Sequence, residues 1–258
     1  MSDLDKRQAT KGKLQYHLRM RTGDVGRYVL LPGDRARVVI MSTYLDDAKE
    51  VGNNREFLAH TGFHKGIKVT VMSTGMGCPA AAIAIEELAN IGAKVFIRTG
   101  STGALQSPID IGDLIIANGA VKNEGTSRMY EPDSFPAIPS FRVLKSLVEA
   151  AQSLKEELRF RYQVGIVSSD DAFYAETPEF IQRMTALGAL GLDMESSAIF
   201  VISRARGLES GSILSASENF ARRLVVPREV PEALKQGWRN ETRVALRAIE
   251  MLEGRPSA

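Results

Sequence analysis

Arg98 closes the apolar run Val95, Phe96 and Ile97, and Gly100, Ser101, Thr102 and Gly103 follow it. An arginine placed after a buried strand end aims a fixed charge at one spot. The residues beyond it offer backbone N–H groups and two hydroxyls in a turn whose glycines let a ligand come close. That combination suits a phosphate or another oxyanion, and it equally suits a strand that ends in a solvated arginine and an ordinary turn. Arg35 and Arg37 follow Pro32, Gly33 and Asp34, between an apolar run and a helical pattern, where N–H groups collect and an anion is favoured. Asp34 also reads as a plain helix cap. Glu195 begins an otherwise apolar helix, as a dipole-stabilised surface acid or as a buried ligand-binding one. His17 stands in the alternating run Leu14 to Leu18, a short strand or an arm.

These residues need a frame. Arg27 to Leu31 reads as a buried strand, and Ala36 to Tyr44 has helical spacing. Phe63 to Gly66 and Ile67 to Met72 form a hairpin with its turn at His64, Lys65 and Gly66. Ser73 to Cys78 is a turn, and Pro79 starts a helix that Gly92 stops. Gly75, Gly77 and Ala80 fit the dinucleotide-binding spacing G-x-G-x-x-A, but the acid expected about 20 residues later is missing. Asp113 to Ala117, Ala120 to Lys122, Tyr162 to Val167 and Ser212 to Ala216 read as strands, and Leu190 to Asp193 leads into the Glu195 helix, which Gly207 closes. Phe141 to Leu154 and Glu179 to Leu187 read as helices. Glu124 to Ser140 is a long proline-bearing loop of the kind that covers a site or an interface. From Pro231 to Glu253 a helix places Leu234, Trp238, Ala245, Ile249 and Leu252 on one face, which reads as packing. The alternation gives an α/β domain with at least partly parallel pairing.

Composition narrows the function classes. The 258 residues are 44% hydrophobic and 25% charged, with a net charge of +2, so nothing points to nucleic acid or an anionic membrane. A small molecule is the expected partner. The single Cys78 rules out an internal disulfide and fits a reducing, cytoplasmic setting. No apolar run approaches the roughly 18 residues of a membrane span, and the polar start lacks a signal peptide's apolar core.

LQYHL, GDVGRYVLLPGDRAR, TGMGCPAAAIAIEEL, FIRTGSTG, DAFY and DMES occur in this order. As a set they resemble the nucleoside phosphorylases of the uridine phosphorylase and hexameric purine nucleoside phosphorylase superfamily, from about Leu14 to Gly207. The resemblance implies a single-domain phosphorylase/hydrolase-like α/β fold, a twisted mixed sheet flanked by helices, over residues 14–258 after a flexible 1–13. It implies phosphate-dependent cleavage of a nucleoside to free base and ribose or deoxyribose 1-phosphate, without metal or cofactor, phosphate being a co-substrate. Gly33, Arg37, Arg98 and Ser101 are then phosphate ligands, and Arg55 reaches into the neighbouring subunit's phosphate site. His17 is given across the same interface to the ribose 5′-hydroxyl, so a homodimer is the smallest active unit, within a hexamer of three dimers. Met194 and Glu195 hold the ribose, while Thr102, Gly103 and Phe173 face the base.

The chain departs from both branches at the base. Uridine phosphorylases carry a glutamine and an arginine after the Phe-Tyr pair, where this chain has Ala175, Glu176, Thr177, Pro178 and Glu179. Purine enzymes place an aspartate after a late serine, and Ser217-Glu218 resembles that dipeptide with one methylene added. Glu218 then serves as a purine acid, or Arg222 and Arg223 supply donors to uracil. Asp193 replaces the glutamate common before Met-Glu. The start and the 124–141 segment look more like uridine phosphorylases. A water-dependent nucleosidase would not need the arginine set, and a non-catalytic nucleoside-binding protein would not need Glu195 beside it.

Overall fold

The computed structural model describes residues 12–224 and 229–254. The segment 1–11, most of the stretch expected to be loose, lies outside them. Nine strands run in the order β2 (Asp46–Asn54), β3 (Phe57–His64), β4 (Ile67–Met72), β1 (Tyr28–Leu31), β5 (Val95–Ala104), β8 (Gly191–Asp193), β7 (Tyr162–Asp170), β6 (Leu114–Asn123) and β9 (Glu209–Asn219), and β9 also pairs with β5. With β8, β7 and β6, these two strands therefore close a ring. The sheet is mixed: β1 lies parallel to β4 and to β5, whereas β5 and β8 are antiparallel.

Alternation along β5 places the core. Phe96 packs in a cluster with Ile85 and Leu88 of α2 (Cys78–Asn90) and Ile199 and Phe200 of α5 (Ser196–Ala205). Val95 and Ile97 face the other way, toward Val38 and Met41 of α1 (Arg35–Ser42), Val143 and Leu147 of α3 (Phe141–Leu158), and Ala245 and Ile249 of α6 (Glu232–Glu253). Successive strand residues point to opposite faces, so one strand serves both layers. The remaining helix, α4 (Pro178–Ala186), sets Met184 against Leu105 and Leu192. No helix among the described residues is long and apolar enough to cross a membrane.

Several expectations need correction. Gly100 to Gly103 is not a turn: β5 continues through it, paired with β9 as Gly100↔Leu214, Ser101↔Ser215 and Thr102↔Ala216. The glycines are required by packing, since a Cβ on Gly103 would sit 2.4 Å from the Phe220 ring. The two strand pieces at 113–117 and 120–122 are one strand with a register shift between Ala117 and Gly119. A polar strand, β2 (Asp46–Asn54), escaped the reading because its residues are largely exposed and carry no apolar alternation. It pairs with β3 (Phe57–His64). The 14–18 run is an arm pinned by Glu87, which accepts from the backbone N–H groups of His17 and Leu18.

Candidate active site

β5 changes neighbour along its length, and the site opens where it does so. Its first residues pair with β1, the last match being Leu31↔Arg98, and β8 joins only at Gly103↔Leu192. Between them one flank of β5 has no strand beside it, and a cavity of about 580 Å³ opens there. Such a crevice at the carboxyl ends of parallel strands is the usual place for a ligand.

At one end Arg98, 4% exposed, is held by Glu195, 3% exposed: Nη2 donates to Oε2. Gly77 N–H donates to Glu195 Oε1 at 2.8 Å, so the G-x-G-x-x-A turn grips a carboxylate of this chain. Burial pushes the Glu195 carboxyl above its ordinary range, against the pull of the Arg98 charge. Arg98 Nε and Nη1 are buried and have no hydrogen-bond partner among the described residues. Nε is 3.7 Å from Asp193 Oδ2, an ion-pair distance rather than a bond. A side chain at Gly33 would point at Nη1 from 3.6 Å, so the glycine keeps that approach open. Buried guanidinium donors left in this way ask for an anion.

Arg37, 5% exposed, enters from α1, whose Asp34 cap accepts from Ala36 N at 2.9 Å. Its Nη1 donates to Glu241 Oε1 at 3.2 Å and its Nη2 to Thr99 O at 3.1 Å. Its guanidinium lies 5.2 Å from the centre of the Trp238 ring, and Trp238 Nε1–H donates to Ser101 Oγ at 3.0 Å. The C-terminal helix is therefore part of the site and not packing alone. The signal was present: Glu241 falls three residues after Trp238 and four before Ala245, an acid on the apolar stripe. Burial raises its carboxyl to about 8, although Arg37 pulls the other way.

The other end is acidic and aromatic. Phe173, Glu176, Glu218 and Phe220 line it together with Thr102, Gly103 and Met194. Glu218 is buried opposite Gly103 in the β5–β9 pairing. Glu176 was missed as a site residue; burial, then the charges of Asp170 and Glu218, raise it to about 7. Thr102 donates its hydroxyl to Leu192 O at 2.7 Å, so it serves β8 first. Asp193 has a clear structural duty: it accepts from the Ser169 hydroxyl and from Ser196 N, the first N–H of α5.

Four expected residues do not line this cavity. Arg222 is paired with Asp110 on the surface and Arg223 is exposed, because the chain turns at the short helix Phe220–Arg222 and presents Phe220 inward instead. Arg55 is exposed at the tip of the β2–β3 hairpin, which Arg35 braces through Arg55 O and Asn53 Oδ1. His17 binds Glu87 through Nδ1 at 2.6 Å, and Asn54 Nδ2 donates to His17 O at 2.7 Å. The arm and the hairpin tip thus form one surface. None of the 124–140 loop lines the cavity either; Glu124 ties it to Ser197 and Ser127.

Comparison with known proteins agrees with this geometry. The chain is 40% identical over 259 residues to a uridine phosphorylase of Thermococcus kodakarensis, covering 95% of this chain and 89% of that one. It is 37% identical over 242 residues to a guanosine phosphorylase of Halorubrum lacusprofundi, covering 92% and 99%. The crystal structure of uridine phosphorylase from Vibrio fischeri superposes with a TM-score of 0.83 at 35% identity, covering 92% of this chain and 97% of the other. Residues 27–250 match the sequence pattern of the phosphorylase superfamily, and with the crevice lined by Arg37, Arg98 and Glu195 the chain belongs to that superfamily.

Proposed function

We propose that the protein cleaves a nucleoside with inorganic phosphate, giving free base and pentose 1-phosphate. The observation that carries this reading is Arg98: it lines the cavity with Gly33, Arg37 and Ser101, and its buried Nε and Nη1 have no hydrogen-bond partner among the described residues. A dianionic phosphate takes those donors in pairs and is positioned for attack on C1′. As the C1′–N bond breaks the sugar becomes cationic, and the phosphate and Glu195 stabilise it. Glu195 keeps lone pairs for the ribose hydroxyls, since Gly77 and Arg98 each occupy only one site on a carboxylate oxygen. Met194 lines the cavity beside Glu195, and Phe173 offers a ring to the base.

The frame is uridine-phosphorylase-like. A purine nucleoside is the second reading, supported by Glu218 and Glu176 together, because an acid near the leaving base stabilises a purine as it takes up the electrons. A neutral carboxyl also donates an O–H to a uracil carbonyl. His17 and Arg55 complete a neighbour's site, which makes a homodimer the active unit and a hexamer its assembly. The reducing cytoplasm is its setting. The test is base release from uridine, thymidine, inosine, guanosine and adenosine, each with and without phosphate. Phosphate-dependent release is expected; release independent of phosphate makes the protein a nucleosidase, and no release from any substrate removes the enzymatic reading. A fully active monomer in sedimentation would remove the shared site.

A further inference from the structure

Arg37 and Ser101 come from α1 and β5, yet each is held by a residue of α6. Glu241 is fully buried, accepts from Arg37 Nη1 at 3.2 Å, and receives the Ser215 hydroxyl on its other oxygen at 2.8 Å. With Thr99 O on Nη2, the Arg37 fork is fixed at both tips, which sets the plane in which its remaining N–H groups lie. Trp238 supplies the wall: its ring lies under that guanidinium, and its indole N–H occupies a lone pair of Ser101 Oγ. A serine hydroxyl that already accepts one hydrogen bond is left with its own O–H to give. Since an anion needs donors, this arrangement orients Ser101 for one. Close approach of the helix makes it possible, because Gly237 packs against Gly112 and Ser215 with no room for a side chain.

The geometry points to Trp238 and Glu241 as positioning residues of the phosphate subsite, Glu241 fixing the Arg37 fork and Trp238 turning the Ser101 hydroxyl outward. This inference rests on the phosphorolytic reading of the cavity and adds a helix to it. The phosphate site is then assembled from both ends of the chain, and its affinity depends on how α6 is seated. Neither residue touches the nucleoside's reacting atoms in this scheme. Their removal acts on phosphate and spares the nucleoside.

The test is steady-state phosphorolysis by the full chain and its Glu241→Ala, Glu241→Gln and Trp238→Phe variants, with inorganic phosphate and nucleoside varied separately. Glu241→Ala should raise the phosphate KM about tenfold, while the nucleoside KM stays within about twofold. Glu241→Gln keeps an acceptor for Arg37 and should restore the phosphate KM to within about twofold of the parent. Trp238→Phe keeps the ring but loses the N–H, and should raise the phosphate KM about threefold. Trp238 is the single tryptophan, so its fluorescence in the parent protein should change with inorganic phosphate and saturate near the phosphate Kd. Unchanged phosphate KM in Trp238→Phe and in a folded Glu241 variant of an active enzyme overturns the inference alone. So does an equal rise in both KM values. A parent enzyme that consumes no phosphate overturns the underlying reading first.

Discussion

At the arginine end of the cavity, Arg98, Arg37 and Ser101 stand on β5 and α1, and each is tied to a residue from a distant element: Glu195, Glu241 and Trp238. At the acidic and aromatic end, Phe173 lies on the short helix Phe173–Ala175, Glu176 follows it, and Phe220 starts another single turn. Phe173 is 47% exposed, whereas Arg98 is 4% exposed. The groups proposed to bind phosphate are anchored in the closed ring of strands and its flanking helices. In the proposed scheme the base meets Glu218 on the ring strand β9 but also Phe173, Glu176 and Phe220 on short segments outside the ring. Loops on a rigid scaffold are where specificity is readily altered. This fits a chain that is similar both to a uridine phosphorylase and to a guanosine phosphorylase.

The contrast is most easily broken at Arg98. Arg98→Ala should lower the rate about a thousandfold for every nucleoside, as loss of a preorganised electrostatic group does. Circular dichroism should show the fold retained, because Glu195, already pushed upward by burial, can take a proton. A base-dependent loss would mean that the two ends are not separable. At the other end, Glu218→Gln should cost about a hundredfold, the range of a lost general acid, on purine nucleosides and leave the phosphate KM unchanged. An equal loss on uridine would make Glu218 a general structural acid.

A pH profile sharpens the comparison next. Glu176 is raised to about 7, so it is neutral at lower pH and ionised at higher pH. As an O–H donor to the base it should lose function as pH rises through about 7, and Glu176→Gln should flatten that limb of kcat/KM. A limb that survives in the variant belongs to another group. The smallest effect is expected from Arg222→Ala, which removes only a surface pair with Asp110. Activity should stay within about twofold, since exposed ion pairs contribute little; a large loss on uridine would restore the role that the sequence suggested for Arg222.

Much of the frame was legible because its signals are local. Strand, glycine turn and helix repeat at Arg27 to Tyr44 and at Lys68 to Gly92, with Asp34 capping the first helix and Pro79 and Gly92 bounding the second. Arg98 and Glu195 were legible for a similar reason, as charged residues set against apolar runs. Glu176 gave no such sign, because its raised pKa comes from burial and from Asp170 and Glu218 in other segments. Polar β2 was hidden for want of an apolar face.

The sequence by itself determined the alternation of elements, the candidacy of Arg98 and Glu195 as charged residues beside apolar runs, and the family resemblance carried by the ordered motifs. Only the tertiary structure decided that Gly100 to Gly103 is strand, that β5 closes on β9, and that Trp238 and Glu241 join Ser101 and Arg37. The physical reason is range. Periodicity and capping act within a few residues, while strand pairing and the partner of a buried charge are settled between segments more than a hundred residues apart.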